Sequence, residues 1–360
     1  MIDPLDMLLP QALPSDAEVG AWICSQPHLD LAMSDLGRGQ GITNLAMAVD
    51  LRRTISAFPA AGQIFTDSHS QPDDIAHDCY FHVRRVESDA PTVFVRMACH
   101  ARLIFLHEVA DSPVNISREA LELIDLAFAD LIACLMGSSV NSKPHVTEFQ
   151  TRGLVKNVIS RWIRGHQIFA ALTQGLIFAF QMLGRAVRLG KGSELQRWAD
   201  LSCSLFRGSG AAFELTGDFP IDDYVAIVRP SMMPPATVTG LSGLMSMDHR
   251  FLVQTMRDMR PALKAFYELE PVLHNAVSSA LSTVYDSHVH VCERFVGAKP
   301  SLLSEGRSDK TGPSMIEQFK KLRLKPFEQP TRATRLTSAD DLSQCPVSKG
   351  RGVLQSADSK

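Results

Sequence analysis

The sequence predicts a mainly α-helical protein. Apolar residues recur at i, i+3 and i+4 over several long stretches, cap and stop residues bracket those stretches, and strand signals are few. Of its 360 residues 45% are hydrophobic and 21% charged, enough apolar content for a sizeable core and incompatible with a disordered or fibrous chain.

Taken in order, Thr92 to Met97 is a short run that reads as a strand or an extended connection. Ser117 to Met136 carries Ala120, Leu121, Ile124, Phe128, Leu131 and Leu135 at helical spacing, with Gly137 as a stop. Gly153 to Leu189 forms a second, long apolar helix, with Gly165 or Gly175 as places to bend and Gly190 as its cap. Ser193 with Gln196 makes a capping box for a third, running through Trp198 and Leu205 to Gly208. Tyr224 to Val228 is again short and strand-like. Arg229 to Gly243, with Pro230, Pro234, Pro235 and Gly240, cannot continue a helix and reads as a long loop of the kind that carries function.

Ser246 is the N-cap of the next helix, with Asp248 in its first turn and His249, Leu252, Val253 and Met256 on one face. Pro261 ends or kinks it. A further helix runs from Pro271 to about Val296, and on it Leu281, Tyr285, His288 and Cys292 share an inward face. Beyond Ala298 the periodicity fades, a short amphipathic piece spans Met315 to Leu324, and the remainder is polar. The expected organisation is a helical catalytic domain over 1–297, a docking segment over 298–327 and a disordered tail over 328–360.

Partners are expected to be small. The net charge is −3 with no long basic run, which argues against nucleic acid and anionic membrane. The start, Met1-Ile2-Asp3-Pro4, carries no secretory signal, so the cytoplasm is expected. The apolar stretch from Ile168 to Leu183 is broken by Gln174 and Gln181 and followed by Arg185 and Arg188, which marks a core helix and not a membrane span. Seven cysteines, an odd number without paired spacing, argue against a disulfide framework, and neither C-x-x-C nor C-x-x-C-H occurs.

The chemistry concentrates in His288-Val289-His290-Val291-Cys292. On a helix, His288 and Cys292 lie about 40° apart around the axis and about 6 Å along it, so both can grip one ligand. His290 is rotated by roughly 200° and points away. A haem suits such a pair, with an imidazole on iron and a thiol at a vinyl edge. A hydrogen-bonded histidine beside a buried thiol is the plainer reading of the pair alone. His249, at the mouth of the preceding helix, adds a second imidazole that an antiparallel packing would bring opposite His288 across a gap.

The triple His249, thirty-eight residues, His288, three residues, Cys292 resembles the haem-attachment pattern of the 3-methyl-L-tyrosine hydroxylases of saframycin and safracin type tetrahydroisoquinoline antibiotic pathways. That family belongs to the haem-dependent aromatic oxygenases, whose helical fold is related to tryptophan 2,3-dioxygenase. The resemblance covers about residues 15 to 325. It implies that His249 and His288 are the axial iron ligands and that Cys292 forms a single thioether to the haem. It implies ortho-hydroxylation of 3-methyl-L-tyrosine to 3-hydroxy-5-methyl-L-tyrosine, with peroxide or dioxygen plus a reductant as oxidant. His249, beside the Pro/Gly loop, is the expected mobile and catalytic ligand. Arg229 is a weaker candidate for the substrate carboxylate. Arg161, Arg164 and His166 are candidates for haem propionates or the phenol, while His77, His82, His100 and His107 have spacings that match no metal motif. Competing readings are a haem oxygenase for tyrosine or a tryptophan-derived substrate, and a non-enzymatic bis-histidine haem protein. A homodimer is left open.

Overall fold

The computed structural model describes residues 2–26, 44–58, 62–64, 71–138, 140, 153–297 and 311–328. Its helices are α1 (Asp16–Cys24), α2 (Asn44–Ala57), α3 (Pro72–Tyr80), α4 (Ala90–Asp111), α5 (Arg118–Leu135), α6 (Val158–Leu189), α7 (Gly192–Thr216), α8 (Met247–Asp258), α9 (Arg260–Leu269), α10 (Pro271–Phe295) and α11 (Gly312–Leu324). Three short strands, β1 (Leu5–Met7), β2 (Gln63–Ile64) and β3 (Val83–Glu87), form a sheet in the order β1-β3-β2. β3 pairs with β1 in parallel and with β2 antiparallel.

The core is built around α7, which packs on α5, α6 and α10. Close approach of these helices is bought with glycine. At Gly208 an added Cβ would sit 2.4 Å from the Ala127 Cβ, so α7 does not stop there but leans on α5 and continues to Thr216. At Gly165 an added Cβ would meet Thr216 Oγ1 at 2.1 Å, so this glycine lets α6 touch the end of α7 instead of bending α6. α6 is long and apolar enough to cross a membrane, yet 89% of that stretch is buried inside the protein, which makes it a core helix.

The caps explain several boundaries. Ser117 Oγ accepts from the Ala120 amide at 3.0 Å and Asn157 Oδ1 from the Ser160 amide at 2.9 Å, while Gly190 closes α6 in the left-handed region. The capping box at Ser193 and Gln196 does not form. α7 begins a residue earlier, at Gly192, with Ser193 inside its first turn. The strand reading of Thr92 to Met97 is also corrected. Asp89 accepts from the Thr92 amide and Pro91 sets the first turn, so these β-branched residues lie inside α4, all but Arg96 of the run fully buried. Tyr224–Val228 is a turn of π-helix, not a strand, and Arg229–Ser231 continues it helically into the long loop. Between α8 and α10 the chain is not a simple turn, because Pro261 opens the ten-residue helix α9. The polar stretch 298–310 and the tail from 329 lie outside the described residues.

Among the buried ion pairs of the described residues, two groups tie together the elements around the cavity. Arg161 Nε donates to Glu108 Oε1 at 2.7 Å and its Nη1 to Asp218 Oδ2 at 3.0 Å. Arg164 shares the same Glu108. These arginines are structural, which removes them as propionate or phenol partners. The second group joins β3 to α8: Arg85 donates to Asp78 at 2.7 Å and to Asp248 at 2.6 Å.

Candidate active site

A cavity opens among α3, α6, α7, the Met232–Ser246 segment, α8, α10 and α11, and four imidazoles face it: His77, His166, His249 and His288. Each arrives on a different helix. His288 comes from the middle of α10, its ring stacked on Phe213 of α7 with centroids 4.4 Å apart and planes 13° from parallel. Burial pushes its pKa down to about 4, helped by His249 opposite. His249 sits in the first turn of α8, which Ser246 caps by accepting the His249 amide at 3.3 Å. Its Nδ1 lies 3.3 Å from the Gly243 carbonyl, which can only accept, so Nδ1 carries the proton and Nε2 keeps a free lone pair. Burial first, then the Arg323 cation, lower its pKa to about 4. Both rings keep some accessible surface because they open into the cavity.

Cys292 lies one turn beyond His288 on the same wall, a free thiol that burial, with Glu293 nearby, pushes up to about 11. It is a neutral thiol at working pH. His290 is exposed, as the helical spacing requires.

The sequence reading set His77 aside, and the structure brings it into the cavity wall. Its Nδ1 lies 3.4 Å from Asp78, the same carboxylate that holds Arg85. Burial alone would raise the Asp78 carboxyl, but Arg85 and His77 outweigh it and hold it below the usual carboxylate range. Arg85 grips Asp248 on its other side, the residue before His249. One buried guanidinium therefore ties together the backbone around two of the four imidazoles. Arg229 is not among the cavity-lining residues; its side chain bonds Tyr224, which is one of them. Of the methionine-rich run, Met232 lines the cavity and is buried. Neither His77 nor Asp78 announces itself in sequence, since the i, i+1 pair acquires meaning only through Arg85 on β3.

Among the described residues no three His, Cys, Asp or Glu side chains converge closely enough to hold a bare metal ion. Two neutral imidazoles with apolar walls and a thiol one turn away from one of them leave room between them for a larger bound group. The fold and site thus define a helical protein with an aromatic-lined pocket faced by four imidazoles. A family model described as SfmD 3-methyl-L-tyrosine peroxygenase matches residues 6–276, and the chain belongs to that family. It is 28% identical over 312 residues to a 3-methyl-L-tyrosine peroxygenase of Streptomyces lavendulae, covering 83% of this chain and 84% of that protein. A crystal structure of reduced SfmD soaked with sodium hydrosulfite shares the fold, with a TM-score of 0.68 at 22% identity, over 81% of this chain and 97% of that one. The family match ends at residue 276, before His288 and Cys292.

Proposed function

We propose that this protein is a haem-dependent peroxygenase that hydroxylates 3-methyl-L-tyrosine ortho to its phenol, giving 3-hydroxy-5-methyl-L-tyrosine for tetrahydroisoquinoline antibiotic assembly. The observation that carries it is the pair of neutral imidazoles, His249 and His288, facing one cavity with Cys292 a turn away. His249 and His288 would hold the iron, and Cys292 would tie the porphyrin edge by a single thioether. When bound, that group supplies peroxide activation and delivery of one oxygen atom. The overall change balances: one aromatic C–H and one hydrogen peroxide give one phenol and one water.

The chain's own residues prepare the site. Phe213 holds the His288 ring flat by stacking, and the Gly243 carbonyl fixes which nitrogen of His249 is free. Phe81, Phe169 and Leu281 keep water from the cavity. Of the two residues that would hold the iron, His249 would have the greater freedom to move, because it stands in the first turn of α8, joined to the irregular Met232–Ser246 segment, whereas His288 is central in a 25-residue helix. The family name favours peroxide over dioxygen with a reductant. The free thiols at Cys24, Cys79, Cys99, Cys134 and Cys203 support a reducing, cytoplasmic setting.

The purified protein should show a low-spin haem spectrum that survives acid-acetone extraction, and should convert 3-methyl-L-tyrosine with peroxide to a product heavier by one oxygen. His249→Ala should retain the haem and lose the low-spin signature; an unchanged spectrum in that variant removes His249 as a ligand.

A further inference from the structure

We infer that His166 receives the phenol of the substrate: its Nε2 accepts the hydrogen bond of the phenolic O–H and makes the site selective for phenols over plain phenyl rings. The inference rests on the proposed aromatic amino acid chemistry and adds to it the group that reads the hydroxyl.

His166 lies on α6, a turn after Trp162, with its side chain in the cavity wall. Its Nδ1 is 2.7 Å from the Trp162 carbonyl. A carbonyl oxygen only accepts, so Nδ1 carries the hydrogen and Nε2 presents a bare lone pair. The ring cannot turn away from this duty. It stacks on Phe81 at 4.0 Å with planes 15° apart and leans on Trp162 at 4.5 Å. Its chain neighbour Gly165 is pressed against Thr216. Nε2 has no hydrogen-bond partner among the described residues, and an acceptor at a largely apolar wall calls for a donor from the ligand.

Most other polar groups on the wall are committed, and the unpartnered Trp162 Nε1–H is a donor, not an acceptor. Thr173 and Ser209 each give their hydroxyl hydrogen to a backbone carbonyl one turn back, at 2.8 Å. Ser246 caps α8, Tyr224 is bonded to Arg229, and Tyr285 to Arg323. His77 turns its Nδ1 to Asp78, and His249 and His288 are assigned to the iron. His166 and His77 each present a bare Nε2, and His166 is the one held by a near-parallel ring stack and a 2.7 Å bond to the backbone. Burial also pushes its pKa down to about 3, roughly seven units below a free phenol, so in the resting complex it holds the hydrogen bond without taking the proton.

The test compares two ligands on the haem-loaded protein by calorimetric titration: 3-methyl-L-tyrosine and its deoxy counterpart, 3-methyl-L-phenylalanine. The native protein should favour the phenol by about tenfold. His166→Phe keeps the stack on Phe81 but removes the acceptor, and should bind both ligands about equally with an unchanged haem spectrum. His166→Gln restores an acceptor and should recover part of the preference. A His166→Phe protein that keeps the preference, or that weakens equally for both ligands, overturns the inference. Should His166→Phe not fold, absence of any recovered preference in His166→Gln overturns it as well. Native protein that carries haem but binds neither ligand overturns the proposed substrate class, and the inference with it.

Discussion

His166, His249 and His288 are held neutral for one shared reason: burial penalises an imidazolium that no carboxylate on the wall compensates. Their values, about 3, about 4 and about 4, lie below the 6.5 of an unfolded histidine. An unfolded chain therefore binds protons that the folded one refuses once pH drops below 6.5. Stability is full above that pH and is lost as pH falls toward 4. Urea unfolding midpoints of the haem-free protein should fall clearly between pH 7 and pH 5; equal midpoints would show that the cavity hydrates and does not depress these groups. At this scale the sequence was readable where chemistry lies close along the chain. His288 and Cys292 share one helical turn, and His249 follows its own cap. His77 is not legible, and His166 stands in the sequence only as one of three candidates for the propionates or the phenol, because their meaning depends on α3 and α6 meeting at one wall, which no local spacing encodes.

At the scale of elements, the joint that positions His249 is the Arg85 bridge between β3, α3 and the first turn of α8. Arg85 also donates to the Leu8 carbonyl at 2.8 Å, which draws in the segment after β1. Arg85→Met strands the Asp78 and Asp248 carboxylates without their cation, a loss of about 3–5 kcal/mol. The melting temperature should drop and the low-spin haem signature should weaken as α8 shifts. Adding Asp248→Asn to that variant should return part of the stability, since one uncompensated charge is gone. A variant that melts like the native protein would mean that the bridge does not set the α8 start. Residues 85 and 248 are 163 positions apart, so this joint was invisible to periodicity. The misread elements have related causes. Thr92 to Met97 has strand-like composition, but the Asp89 cap and deep burial of α4 override propensity. α8 does end before Pro261, but proline equally starts a helix, so α9 stands where the sequence suggests a turn between Pro261 and Pro271.

Across the whole molecule, the cavity is finished by the C-terminal part of the chain. Met315, Ile316 and Phe319 of α11 supply wall, α11 packs along α10, and Lys320 pairs with Asp286. The following turn, Lys325–Phe327, seats Phe327 against Phe180 and His274, and its near-complete burial is worth about 2 kcal/mol. Arg323 reaches back to Tyr285 and lies close enough to His249 to help lower its pKa. The segment that its amphipathic pattern marks only for docking thus belongs to the site. A chain ended after Gly297 loses that wall, opens the cavity beside His288 and surrenders the Phe327 anchor. It should melt several degrees lower and lose most of its peroxide-dependent turnover even where haem remains attached. A chain ended after Glu328 keeps every one of these contacts and should match the native protein in melting temperature and turnover. Equal behaviour of the two truncations would show that α11 only covers the surface; a difference between them locates the boundary of the functional unit at Phe327.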